Sequence, residues 1–344
     1  MKYIKITALI AVMLLMTGVA FALDPVPGES GFSGFVRIGV GVMNYRSNLV
    51  AGNKFLDIGT ETVNSLNDRP DSETSGLAIA NFDLSWTFAG TRTQIFIGSD
   101  LENLLRLDMS QHIGVKQELP DKSILAVSYV FSGIPTEVWE DPYITRVARQ
   151  KTDIDSKGVR ITYDKILGSN LQAQYTYRNL DIDIERSGYS PALGLSVNKR
   201  DLLRRDGERH SGELLYRIKL TDKHLLVPAV YYIKEDRDGD AMSNDEYDFQ
   251  LSYSYLGTPV TVIVNAIFGT SDYDADNPIY KTSRDDDIYG LGAQIYYKNP
   301  FGWRPFGLDR FSVFVQGAYY DSDSNIDFYD TKVAMGLAGV IVRF

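Results

Sequence analysis

Runs of roughly ten residues that alternate between apolar and polar recur along this chain, and that period of two constrains its fold more than any other property. Leu171, Ala173, Tyr175 and Tyr177 alternate with Gln172, Gln174, Thr176 and Arg178. Tyr247, Phe249, Leu251, Tyr253 and Tyr255 alternate with Asp248, Gln250, Ser252 and Ser254. Leu214, Tyr216, Ile218 and Leu220 oppose Glu213, Arg217 and Lys219, and Val36, Ile38, Val40 and Val42 oppose Arg37, Gly39 and Gly41. Successive side chains of a strand point to opposite faces, so each run has one greasy side and one wet side. Strands of a soluble sandwich run to about five or six residues, and many of these are nearly twice as long. Aromatic residues gather toward the ends of the apolar faces, as at Trp86 and Phe88, Tyr175 and Tyr177, and Phe311 and Tyr319. That placement is expected of interfacial girdles. A soluble β-sandwich or solenoid also alternates, but strand length and the aromatic ends weigh against both.

The connections are in turn short and long. Ala89–Thr91, Pro120–Lys122, Leu167–Asn170, Thr221–Lys223 and Gly257–Thr258 are turn sequences. Ser47–Ser75, Gly133–Ile154, Asp181–Asp206, Asp236–Glu246 and Thr270–Asp285 are longer and polar, most of them acidic. Leu101–Leu105 is short where a long link is expected, and Asn299–Gly307 is long where a short one is expected. Counting segments predicts an all-β, up-and-down antiparallel transmembrane barrel of about 14 strands, an even number that returns the end of the chain to the side of its start. If Arg92–Glu118 is one strand and not two, a barrel of roughly 12 becomes the fallback. No linker or internal repeat marks a second domain.

Lys2 and Lys5 precede an apolar run from Ile6 to Met16, and Ala20–Ala22 supplies a small-x-small cleavage site. This is the layout of a secretory signal peptide, so residues 1–22 are expected to be removed. Residues 23–30 would then form a short periplasmic N-terminal segment and 31–344 the barrel. Without Lys2 and Lys5 the formal charge moves from −10 to about −12, which argues against nucleic acid as a partner. There is no Cys, hence no disulfide or thiol chemistry, whereas 22 Tyr, 16 Phe and 29 Gly suit a β-rich chain.

An exported chain whose last alternating segment, Thr331–Phe344, stops on an aromatic resembles the bacterial outer-membrane β-barrels, in which a terminal Phe is the assembly signal. The resemblance implies a Gram-negative outer membrane, contact with lipid and lipopolysaccharide, and insertion by the barrel-assembly machinery through Phe344. Pro27–Val36, followed by Ser47 and Asn48, is similar to the start of an uncharacterised Gram-negative family known only as a domain of unknown function. That likeness implies a barrel and carries no functional residue.

About fourteen strands should enclose a lumen unless a loop or the N-terminus plugs it. Ser47–Ser75 and Asp181–Asp206 are the candidates for a loop that folds inward, whereas Leu23–Ser30 would occupy the bore only in a carrier for apolar molecules. The inward faces are predicted to carry Arg37, Arg106, Asp108, His112, Lys116, Arg160, Asp164, Arg178, Glu213, Arg217, Lys219 and Asp248. Unpaired charges in a dry core are costly, so this list predicts water inside. Its basic residues outnumber its acidic ones, which would favour anionic or neutral polar solutes. Mixed charges that pair across strands and select little are the plainer expectation.

Three chemical motifs reduce to ordinary barrel features. Ser110 and His112 share a face, but an inward one with no third partner for a hydrolytic triad. Asp206 and His210, with Asp285–Asp287, fit a rim protease only loosely. Asp236, Asp238 and Asp240 have calcium-loop spacing, but Gly239 sits on the wrong side of the third Asp and the segment joins strands; Asp321–Asn325 is similar. No enzyme, metal or cofactor is expected. The expected function is passive diffusion or uptake of small polar solutes. A surface adhesin, receptor or structural barrel with a closed lumen is the alternative. A carrier for apolar molecules would need an apolar bore.

Overall fold

The computed structural model describes residues 23, 25–103, 108–302 and 311–344; the expected leader and Arg106 lie outside them. The strands are β1 (Gly31–Arg46), β2 (Val50–Asn53), β3 (Leu56–Asp57), β4 (Ser72–Phe88), β5 (Thr93–Asn103) and β6 (Asp108–Glu118). They continue with β7 (Ile124–Ile134), β8 (Thr136–Trp139), β9 (Lys151–Asp164), β10 (Leu171–Ile182), β11 (Gly207–Tyr216) and β12 (Ile218–Thr221). The last six are β13 (His224–Arg237), β14 (Asn244–Leu256), β15 (Val260–Tyr273), β16 (Asp285–Lys298), β17 (Phe311–Ser324) and β18 (Thr331–Arg343).

Fourteen of these form a closed antiparallel barrel. β8 and β12 prolong β7 and β11, because each pairs with the same neighbour as the strand before it. β2 and β3 make a small hairpin inside the first long connection. Arg92–Glu118 forms two strands, β5 and β6, in register from Thr93↔Gln117 to Ser99↔Gln111. The barrel therefore keeps its even count.

Closure is made by β1 and β18, in continuous register from Phe35↔Arg343 to Arg46↔Lys332. Gly41 allows the close approach at this seam, since a Cβ there would lie 1.8 Å from the Gly336 carbonyl oxygen. At the short-turn end the backbones of Gly34 and Phe344 exchange hydrogen bonds of 3.0 and 3.1 Å, and the Phe344 ring stacks on Phe32 at 5.2 Å.

The period of two separates the faces cleanly. Val40 is 68% exposed, and Ile113, Val127, Ile161, Leu214, Leu251, Leu291 and Val315 are exposed with it, while their sequence neighbours turn into the barrel. This outward band is bounded by aromatics. Phe32, Trp86 and Phe88 stand near the short-turn end, and Tyr232, Tyr247 and Tyr289 near the long-loop end. Phe311 departs from the expected girdle: it is buried.

Candidate functional site

The interior has two unlike walls. β6, β9, β10, β11 and β14 turn polar side chains inward, and these satisfy one another across strands. Arg217 donates from its two terminal nitrogens to Asp164 Oδ1 and Gln172 Oε1, both at 2.6 Å, and Asp164 is fully buried. Arg160 Nε donates to Thr176 Oγ1 at 3.0 Å. Gln174 and Tyr231 donate to the two oxygens of Glu213 at 3.3 and 3.2 Å. Arg178 bonds to the Ser156 hydroxyl. His112 packs on Phe96 with Lys116 over the same ring, and Asp248 lies against Gly269.

The opposite wall, from β15 through β18 to β1, is apolar. Met43, Tyr45, Ile267, Ile288, Phe314, Val333, Met335 and Leu337 form one buried cluster. Arg37 lies on this side, stacked 4.0 Å above the Phe314 ring. Its Nε and Nη2 are buried without a hydrogen-bond partner.

The predicted residues thus fall into groups. Arg37, His112, Lys116, Asp164, Arg178, Glu213, Arg217 and Asp248 are each less than a tenth exposed, and Arg160 is half-buried. Asp108 opens β6, and Arg106 lies outside the described residues. Lys219 stands at the rim of the short-turn end and not in the buried interior. It keeps the face of Arg217, in register with Leu225, but it stands where the chain turns back, so its side chain is 66% exposed and pairs with Asp222 at 2.7 Å. Most of the inward charges are buried, and Asp164, Arg178, Glu213 and Arg217 are hydrogen-bonded to neighbouring side chains, so their presence does not by itself require a water-filled bore.

The long-loop end is closed by two devices. The β2–β3 hairpin folds into the barrel: Val50 pairs with Val138 of β8, and Val50, Leu56 and Ile58 join the apolar wall. Of the two candidate connections, Ser47–Ser75 thus carries a hairpin that folds inward. Above it the loops share a second core of Val63, Tyr143, Leu203, Met242, Ile326, Phe328 and Tyr329. Hydrogen bonds tie this dome together: Asn48 Nδ2 donates to Phe328 O at 3.1 Å, and Tyr280 OH to Leu66 O at 2.8 Å. Arg149 Nη1 donates to Asn48 O at 2.8 Å and Pro142 O at 3.1 Å, with its guanidinium stacked on Trp139.

Beneath the dome lies a cavity of about 180 Å³. Its polar lining was not among the predicted residues. Arg209 Nε lies 3.5 Å from Glu235 Oε1, and Arg237 pairs with the same carboxylate. Arg205 pairs with Glu185 at 2.8 Å and donates to Trp139 O at 2.7 Å. Arg284 donates to Asp286 at 2.8 Å while its guanidinium stands 4.5 and 4.4 Å from the rings of Tyr273 and Tyr329. Arg209 has the parity of Glu213 and Arg217, so extending the alternation by four residues would have found it. The loop arginines carry no such signal.

The chemical motifs separate in space. Ser110 and His112 both face inward. Asp206 accepts from Ile182 N at 2.9 Å, whereas His210 faces outward against Tyr175 at 2.7 Å. Asp238 pairs with Arg204 at 2.7 Å. Among the described residues no group of three or more His, Asp or Glu side chains is placed to hold a metal.

A family model described as a protein of unknown function (DUF2860) matches residues 31–342. No curated protein matches the chain. Among solved structures, a Pseudomonas aeruginosa FadL homologue is similar with a TM-score of 0.44 at 11% identity, over 97% of this chain and 99% of that one. The outer membrane channel DcaP of Acinetobacter baumannii is similar with a TM-score of 0.40 at 12% identity, over 92% and 97%. OmpT, an outer membrane protein of Vibrio cholerae, gives 0.40 at 10%, over 90% and 98%. Identities this low concern architecture and not activity.

Proposed function

We propose, for a chain that belongs to the DUF2860 family of proteins of unknown function, an outer-membrane channel for small polar solutes, held constricted by its own first long connection. One observation carries this reading: an apolar outward band surrounds an interior whose wall from β6 to β14 is lined with buried polar groups and charges, among them the Arg217–Asp164 and Arg209–Glu235 pairs. In a barrel kept only for mechanical strength, those ion pairs would be as well or better replaced by packed apolar side chains. A path for water-soluble molecules has a use for them, because each pair can open toward a passing solute and close again. The apolar band would meet lipid and lipopolysaccharide in a Gram-negative outer membrane, with the short turns toward the periplasm. Phe344, at the closing seam, would serve the barrel-assembly machinery.

In the constricted state the β2–β3 hairpin and the dome stand between the cavity and the outside. Displacing them would join the cavity to the polar wall below. The same occlusion supports a second reading, a surface receptor or structural barrel whose loops are the working part. Liposome swelling with sugars, amino acids and organic acids separates the two. Swelling that scales with solute size is expected of the channel; no swelling with any solute, from protein that is folded and heat-modifiable, would leave the receptor.

A further inference from the structure

We infer that the cavity beneath the dome is a binding site for a small zwitterion with an apolar body, of the class of the aliphatic amino acids and their short peptides. The assignment deepens the channel reading by naming a solute class. Three inward residues form a row across neighbouring strands: Arg209 of β11 lies opposite Glu235 of β13, which lies opposite Asn244 of β14. Arg237 and Glu246 flank the row, and all five line the cavity. Val50, Val138 and Ile182 supply an aliphatic side to the same space.

Asn244 is 2% exposed, and its side-chain oxygen has no hydrogen-bond partner. A buried acceptor left open in this way calls for a donor from a ligand. Glu235 and Glu246 beside it make a positively charged donor the best fit, and an ammonium group brings three N–H bonds.

Charge balance fixes the rest of the ligand. The cavity arginines are already paired with carboxylates, so an anion that captured Arg209 or Arg237 would strand Glu235 as a buried uncompensated charge. A cation that captured Glu235 would strand the arginines. A zwitterion avoids both, because its carboxylate takes the guanidinium while its ammonium takes the released carboxylate and Asn244 Oδ1. A cavity of about 180 Å³ has room for a solute of that size, with its side chain against the aliphatic wall.

The test is a binding titration of the purified full chain in detergent with L-leucine, L-phenylalanine and Leu-Leu. Beside these run 4-methylpentanoate and 3-methylbutylamine, which keep the branched body and one charge each. At least one zwitterion is expected to bind saturably, and at least tenfold more tightly than either single-charge analogue. Asn244→Leu should weaken it at least fivefold while the barrel keeps its heat-modifiable migration. Absence of saturable binding by all three zwitterions would overturn the site, as would equal or tighter binding of the acid or the amine. Bilayer conductance on the same preparation keeps the two readings apart. Leucine binding without conductance retains the site and removes the channel, and conductance without zwitterion binding does the reverse.

Discussion

The hydroxyl oxygens of Tyr143 and Tyr329 lie 2.6 Å apart at the centre of the dome, and Asn277 Nδ2 donates to the Tyr329 oxygen, also at 2.6 Å. Burial is the main cause that raises the phenols of Tyr143, Tyr329 and nearby Tyr280 above their ordinary value of about 10. For Tyr329 the Tyr143 hydrogen bond and the Arg284 charge act the other way, and Arg205 also faces the pair. A raised folded-state pKa means stability that is complete below the unfolded value and is lost as pH rises through the folded one. The dome should therefore hold below about pH 10 and loosen above it. Limited proteolysis within residues 274–284 and 140–150 checks this: cleavage should rise steeply between about pH 10 and 12, with the barrel strands still protected. Cleavage that did not change with pH would contradict it.

The Arg217–Asp164 pair predicts an asymmetry between single and double substitutions. Asp164→Ala takes the carboxylate away from a buried guanidinium and should cost about 3–5 kcal/mol. Asp164→Leu combined with Arg217→Met, which removes both charges, should cost far less. Urea unfolding of the barrel in lipid vesicles measures both. A double variant as unstable as the single would show that the pair itself stabilises the wall.

Arg37 predicts the sign of ion selectivity. Among the described residues it forms no ion pair, only the stack on Phe314, so its charge is not cancelled where it faces the bore. In a salt gradient the reversal potential should show anion preference, reduced in Arg37→Gln. Cation preference in the unaltered protein would refute the idea of a positive wall.

Much of this was legible in the sequence because a period of two does not depend on register. Gln172, Gln174, Thr176 and Arg178 were assigned inward from alternation alone, and the pairing of β10 with β9 and β11 puts them there. Alternation gives the face of a residue but not its depth, so Lys219, in register with Leu225 yet exposed at the short-turn end, was counted with the buried residues. It is silent where contacts are not local. Tyr143 and Tyr329 are 186 residues apart, and nothing in either loop announces the other. Likewise Val50, Leu56 and Ile58 lie in a polar connection too short of alternation to read as strands, yet they fill part of the apolar wall. Whether the predicted inward charges face water or one another depends on cross-strand partners that composition does not show.

Single-channel conductance with and without an ordered β2–β3 hairpin tests the central claim most directly. Ile58→Asp places an unpaired charge in the apolar wall, where Ile58 is now 2% exposed, and should expel the hairpin without unfolding the barrel. The unaltered protein should show small steps, and the variant steps severalfold larger with weaker selectivity. If neither conducts while both remain folded and heat-modifiable, the interior is not a path for solutes and the channel reading is wrong.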